Sequence, residues 1–331
     1  MKFRIAWSVN RGNKKYKATL CGGFLLIICG ALISVILAEL FVRYFVDLPL
    51  EKEYLRFGCN DYEKFDPENY DRDLFWKPTE EFKNVEYSIK KPENTFRIIC
   101  IGDSITQGDA QEKGLLPREQ TYVYKLERLF SKEFKAKNIE VINAGSGGYS
   151  SLQGLRYLKR TLWKYEPDLV VSWFGINDYY YSLFYPDKEQ RLPEDKALRS
   201  GTILSKSRLL LFVKNFTLIR RSLKKPVVRV PPDDFYENCE EMLIFSKENR
   251  FKIVFVAPFQ YGQYNNIEYF EGYMEKLADL EKKYGCQIIY LKPYLSGIDL
   301  KSIYVDTCHF NEAGNMILGY ALSESLRGYI K

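Results

Sequence analysis

Phe96-Arg-Ile-Ile-Cys-Ile-Gly-Asp-Ser-Ile-Thr106 runs from β-branched and aromatic side chains straight into a Gly-Asp-Ser turn. That is the form of a short buried strand ending in a loop. The same form returns at residues 139–142, 169–174, 253–257 and 287–291. Between these runs the apolar residues take helical spacing. Leu152, Leu155, Leu158 and Leu162 fall on one helical face, behind Ser150 and Ser151 as candidate caps. A last amphipathic stretch starts at Asn311 and carries Met316, Ile317 and Tyr320. Alternating strands and helices predict an α/β domain over residues 95–331, with a parallel five-stranded sheet and helices on both faces. Residues 186–230 break the rhythm and read as an insertion. Its Leu209-Leu-Leu-Phe-Val213 beside Lys214, Arg220, Arg221, Lys224, Lys225 and Arg229 reads as a packed helix with a solvated basic face, in preference to a helix lying on a membrane.

Open parallel sheets bind ligands outside the carboxyl ends of their strands, so the residues just past each run are where chemistry is expected. The first run leads into Gly102-Asp103-Ser104, the second into Asn143-Ala-Gly-Ser-Gly-Gly148, the third into Gly175-Ile-Asn177-Asp178. Asp306-Thr-Cys308-His309 stands between the last run and the last helix. His309 is the only histidine of the chain. A serine hydroxyl needs a base to take its proton, so a nucleophilic Ser104 requires His309. Asp306, three residues earlier, is spaced to hold the imidazole Nδ1–H. The backbone N–H of Ser104, the backbone N–H of Gly148 and the side-chain amide of Asn177 are candidate oxyanion donors. Plainer roles exist for each: a surface histidine capping a helix, glycines in a tight turn, and Asn177 as a turn cap.

The N-terminus has a different character. Residues 18–38 are 21 uncharged, mostly apolar residues, about 31 Å as a helix and enough to span the hydrocarbon core of a bilayer. Six basic and no acidic side chains lie in residues 1–38, leaving 43 basic and 43 acidic groups in the remainder. The excess positive charge therefore belongs to the tail, and a basic field for nucleic acid is excluded. The positive-inside rule puts residues 1–17 in the cytoplasm and everything after about residue 42 outside it (periplasm, exterior or lumen). A long basic flank and the lack of an Ala-x-Ala-like site favour an uncleaved anchor over a signal peptide. Residues 39–94 are polar and tyrosine-rich and read as a stalk that then packs on the main domain, with a boundary at Lys91-Pro-Glu-Asn94. Of the seven cysteines, Cys59, Cys100, Cys239, Cys286 and Cys308 lie beyond the apolar run, odd in number and without a Cys-x-x-Cys pair. Neither a disulfide framework nor a zinc site is expected.

Taken together, the four polar blocks resemble the SGNH (GDSL-type) hydrolase superfamily. Gly102-Asp-Ser104 is similar to its serine block, and residues 143–148 to its glycine block, where the functional glycine falls five residues after the Asn. Gly175–Asp178 and Asp306–His309 are similar to its Gly-x-Asn-Asp and Asp-x-x-His blocks. Ile105 stands where a common form of the motif has Leu. The resemblance covers residues 96–331. It implies a flavodoxin-like three-layer fold and ester hydrolysis without metal or cofactor. It also implies a Ser104–His309–Asp306 triad and an oxyanion hole of Ser104, Gly148 and Asn177.

Tyr179-Tyr-Tyr-Ser-Leu-Phe-Tyr185 comes directly after the Asn177 block, and Phe259, Tyr261 and Tyr264 come after the fourth run. Tyr179, Tyr180 and Tyr261 are candidate substrate contacts, as a stacking surface for a sugar or a wall for an acyl group. They serve equally well to pack the insertion. The expected substrate is an ester-bearing small molecule, glycan or lipid, with acetyl on a glycan favoured. Alternatives are an O-acyltransferase acting on a surface polysaccharide, a lysophospholipase-like lipid esterase, and a catalytically idle glycan-binding protein. One histidine without a carboxylate cluster argues against a metal hydrolase. A Cys308 nucleophile would leave Ser104 without a role.

Overall fold

The computed structural model describes residues 6–11, 14–46, 70–79, 87–110, 114–182, 186–189, 207–210, 212–213, 216, 227–259 and 268–330. There are two compact units, Met1–Glu53 with Pro193–Arg221, and Tyr54–Leu192 with Ser222–Lys331.

The second unit contains the five apolar runs as strands β1 (Thr95–Gly102), β2 (Asn138–Gly145), β3 (Leu169–Trp173), β4 (Lys252–Val256) and β5 (Ile288–Ile289). They hydrogen-bond in the order β5-β4-β3-β1-β2, and every pair is parallel. This is the doubly wound flavodoxin-like order, with its switch point between β1 and β3. A strand covered on both faces has no solvent side, which is why β3 is buried throughout and reads as an apolar run broken only by Ser172. Arg97 in β1 is a charged residue buried among these apolar side chains. Its buried guanidinium reaches Glu140 at 2.7 Å through Nε and donates to the Tyr165 carbonyl at 2.5 Å.

The sheet is covered by α1 (Tyr122–Glu133), α2 (Ser151–Arg160), α3 (Pro232–Glu248), α4 (Glu268–Tyr284) and α5 (Glu312–Leu326). Helix α1 packs on α5, whereas α2 packs on α3 and α3 on α4. Crossovers are right-handed, and the chain leaves β1 in one direction and later crosses to the other, so the two groups of helices take opposite faces. Leu155, Leu158 and Leu162 are buried as their spacing requires. Leu162, however, lies beyond the end of α2, in the 3-10 turn Leu162–Tyr165. Likewise β5 is shorter than its apolar run, because Leu291 caps the helical turn Lys292–Leu295.

Residues 70–79 belong to the same unit. They form a small hairpin, Tyr70–Asp71 against Phe75–Trp76, fastened to α2 and the loop before it. Gln153 Nε2 donates to the Leu74 carbonyl at 2.6 Å, Arg156 Nη1 to the Asp73 carbonyl at 2.8 Å, and Tyr149 Oη to the Trp76 carbonyl at 2.8 Å. Part of the polar stretch expected to form a stalk that then packs on the main domain is built onto the α/β unit. The stretch read as an insertion is divided. Tyr181–Ser182 pairs with Val227–Val228 in the α/β unit, whereas Pro193–Arg221 belongs to the first unit.

In the first unit an antiparallel pair, Ala6–Arg11 with Lys14–Thr19, leads into the helix Leu20–Phe45. Leu26–Phe45 is long and apolar enough to cross a membrane, with a mean hydropathy of 2.3. The helix passes the expected end of the span at residue 38. Glu39 and Arg43 neutralise each other across one turn at 2.8 Å, and the intervening residues are apolar. The Glu39 carboxylate also accepts the backbone N–H groups of Arg208 and Leu209 at 3.0 and 2.9 Å, satisfying otherwise orphan donors at the start of a helical turn.

Candidate active site

The β1 strand delivers its chain to the carboxyl edge, where Asp103 caps the short helical turn Ser104–Gln107 by accepting the Ile105 N–H at 2.9 Å. Ser104 is the first residue of that turn and remains partly exposed. Opposite it, the loop between Tyr304 and Phe310 is closed by a bridge between those two residues. Within the loop, Asp306 Oδ1 accepts the backbone N–H groups of Cys308 and His309 at 2.8 and 2.7 Å. Its second oxygen, Oδ2, lies 2.7 Å from His309 Nδ1, and His309 Nε2 lies 2.7 Å from Ser104 Oγ. Three side chains separated by up to 205 positions thus form one continuous hydrogen-bonded line. His309 is buried. Burial opposes its charged form, but the Asp306 hydrogen bond and charge outweigh this and raise its pKa above the ordinary histidine value. Burial also works against the Asp306 carboxylate, yet the His309 side chain and the two backbone N–H groups bring it down to about 2.

The β2 strand ends at Gly145, beneath the serine turn. A Cβ there would come within 2.2 Å of the Gln107 nitrogen, so only glycine admits the close approach of the two loops. The loop continues through Gly148, whose φ of +75° is a conformation that favours glycine. Asn177, in the turn Ile176–Tyr179 after β3, is buried. Its amide nitrogen donates to Asp103 Oδ2 and to the Tyr149 carbonyl, both at 3.2 Å. Both amide hydrogens are therefore engaged at long distance, and donation to an oxyanion requires one of these bonds to be given over. The structure thus brings Ser104, Gly148, Asn177, Asp306 and His309 to one edge of the sheet.

A family model described as the GDSL-like Lipase/Acylhydrolase family matches residues 100–317. The chain belongs to this family. It is accordingly an ester hydrolase. Among solved structures, the chain is similar to a lipase/acylhydrolase from Enterococcus faecalis, at 19% identity and a TM-score of 0.49, over 71% of this chain and 97% of that one. It is also similar to the acetyl xylan esterase AlAXEase, at 18% and 0.48, over 70% and 100%. A G-D-S-L family lipolytic protein from Desulfitobacterium hafniense is similar at 14% and 0.44, over 69% and 98%. No curated protein matches the chain by sequence.

Around the site, this GDSL-family chain buries polar groups that sequence reasoning did not single out. Asp103, known from the sequence only as part of the serine block, ties that block to Asn177. Burial raises its pKa to about 6 against the pull of the Ile105 N–H. Asp178 accepts the backbone N–H groups of Ser151 and Gly175 at 3.0 and 3.1 Å, joining the start of α2 to the end of β3. Burial raises it to about 7, although the Ser151 hydrogen bonds oppose this. Arg229 and Asp187 form a buried ion pair at 2.9 Å. From it Arg229 Nη1 donates to the Gly148 carbonyl at 2.7 Å and Nη2 to Gln153 Oε1 at 2.8 Å. Only the adjacency of Asp103 to Ser104 and of Asp178 to Asn177 offered a sequence signal for any of these.

Of the aromatic candidates, Tyr179 packs edge-on against Phe270 of α4 with ring centroids 5.7 Å apart, and 6.3 Å from Tyr180. Tyr261 lies outside the described residues. Asp306, Cys308 and His309 bring ligand-type atoms within 4.8 Å of one another. The carboxylate already accepts from the imidazole and two N–H groups, and burial pushes the Cys308 thiol far up, keeping it protonated. A cavity lined by Tyr87, Arg118, Tyr124 and Asn143 includes none of the candidate residues.

Proposed function

We propose that this protein is a membrane-anchored serine esterase that cleaves a short O-acyl ester, acetyl foremost, from a glycan outside the cytoplasm. The observation that carries the reading is the unbroken Asp306–His309–Ser104 line, with both heavy-atom separations at 2.7 Å. In the proposed cycle Ser104 Oγ attacks the ester carbonyl while His309 Nε2 takes its proton, and Asp306 stabilises the resulting imidazolium. The oxyanion is met by the N–H of Ser104, the N–H of Gly148 and the Asn177 amide. Collapse expels the alcohol, which receives the proton from His309. Water, deprotonated by His309, then attacks the acyl-serine carbonyl, and His309 returns that proton to Ser104 Oγ as the carboxylic acid leaves. Tyr179, Tyr180 and Tyr261 are proposed to contact the sugar or acyl group.

The same reading assigns residues 1–17 to a cytoplasmic tail and the apolar helix to an uncleaved anchor. The chain from the end of that helix at Phe45 to residue 94 forms the extension, and residues 95–331 carry the hydrolase blocks. Its supports are the apolar Leu26–Phe45 segment and the basic flank before it. The test uses the full chain in detergent. The wild type is expected to hydrolyse p-nitrophenyl acetate and to release acetate from an acetylated oligosaccharide, and Ser104→Ala to do neither. Undiminished turnover by Ser104→Ala would end the proposal.

A further inference from the structure

A backbone N–H serves an oxyanion only if its peptide plane is held the right way round. The Gly148 N–H belongs to the peptide unit that joins Gly147 to Gly148, and both flanking residues are glycine. With no Cβ on either side, little opposes rotation of that plane by half a turn. Such a flip would turn the N–H away and present the Gly147 carbonyl in its place, aiming a negative dipole at the site where negative charge develops.

The carbonyl of this same peptide unit has a partner from far away in the chain. Trp76 Nε1 donates to Gly147 O at 3.2 Å across 71 positions. The Trp76 ring also covers Gly148, where a Cβ would lie 3.2 Å from its Cζ2. Trp76 is itself held. Its carbonyl accepts from Tyr149 Oη at 2.8 Å, and Thr79 N donates to Ser146 Oγ at 3.2 Å. The preceding residue, Phe75, is buried with a φ of +70°, a conformation rare for an aromatic residue and sustained only by surrounding structure. Arg229 holds the next peptide unit through the Gly148 carbonyl.

We propose that Trp76 is a positioning residue that locks the Gly147–Gly148 peptide plane, so that the Gly148 N–H faces the oxyanion. It acts on the carbonyl of the very unit whose N–H is the donor, so its hydrogen bond also polarises that donor. The hairpin of residues 70–79 is then a component of the hydrolase. This inference rests on the serine esterase reading.

The experiment compares the full chain in detergent, wild type, Trp76→Phe, and a form with 3-(3-benzothienyl)alanine at position 76. Both replacements keep an aromatic ring over Gly148 and remove the N–H, and the second preserves the indole shape if Phe proves too small. The expected result is a kcat for p-nitrophenyl acetate lower by about 10-fold, short of the roughly 10²–10³-fold typical of losing a donor outright. KM and Tm stay unchanged, and affinity for a trifluoromethyl ketone, whose adduct carries the oxyanion, falls by the same factor as kcat. An unchanged kcat in the benzothienyl form, or a loss confined to KM and Tm, overturns the inference while leaving the serine reading intact. If a fluorophosphonate fails to label Ser104 of the wild type, the serine reading falls and this inference with it.

Discussion

The chemistry of the site turns on the proton of His309. As a base it must be neutral, and its pKa is raised because Asp306 outweighs the effect of burial. Activity should therefore fall as the pH drops through a midpoint above the ordinary histidine value of about 6.5. In Asp306→Asn the largest raising cause is gone, burial remains, and only the smaller pull of the Asp109 and Asp103 charges is left, so the midpoint in kcat/KM should move to lower pH. The same change should reduce kcat by up to about 10⁴-fold, since the imidazole loses its enforced tautomer. A pH–rate profile of both forms checks the two together, and a midpoint unmoved by the substitution would remove Asp306 from its role. Asn177→Ala should lower kcat by about 10²–10³-fold. It should also release Asp103, whose carboxylate now accepts from the Asn177 amide. A purely local cap would leave steady-state kcat unchanged.

At the level of elements, the loop after β2 depends on groups brought from both sides, the 70–79 hairpin and the segment around Arg229. Arg229 and Asp187 are both almost fully buried. Removing the guanidinium alone leaves a buried carboxylate uncompensated, so Arg229→Met should destabilise the protein by roughly 3–5 kcal/mol. Chemical denaturation of the full chain in detergent measures this, and a change below about 1 kcal/mol would show that the pair is solvated. The strands were legible in the sequence because a strand buried on both faces excludes polar residues, which makes β1 and β3 conspicuous. The β2 loop was legible as a run of glycines beside such a strand. Trp76, Asp187 and Arg229 were not, because each is defined by partners dozens of positions away and belongs to no local period. Arg229 in particular sits among basic residues and reads as one of a solvated set, although its guanidinium is sealed inside. The end of α2 before Leu162 also escaped, since the apolar spacing continues through the 3-10 turn.

For the whole molecule, the buried titratable groups set a direction for stability. Asp103 and Asp178 have raised folded-state values, so as pH rises from about 4 to 7 the folded state holds protons the unfolded state has lost, and stability declines. His309, also raised, contributes stability that is present below about 6.5 and lost as pH rises through its folded value. Asp306 acts oppositely: its contribution is present above about 4 and lost as pH falls towards 2. Thermal unfolding should therefore occur at a higher temperature near pH 5 than near pH 8, at matched detergent and salt. A flat profile over that range would mean these carboxyl groups are hydrated.

The proposed chemistry requires Ser104 to be the residue that becomes acylated. The direct measurement is peptide mapping by mass spectrometry of the full-length protein after reaction with a fluorophosphonate. One modified peptide is expected, containing Ser104, absent from Ser104→Ala and strongly reduced in His309→Ala. A protein that turns over esters while its modified residue is Cys308 or any other side chain would contradict the assignment.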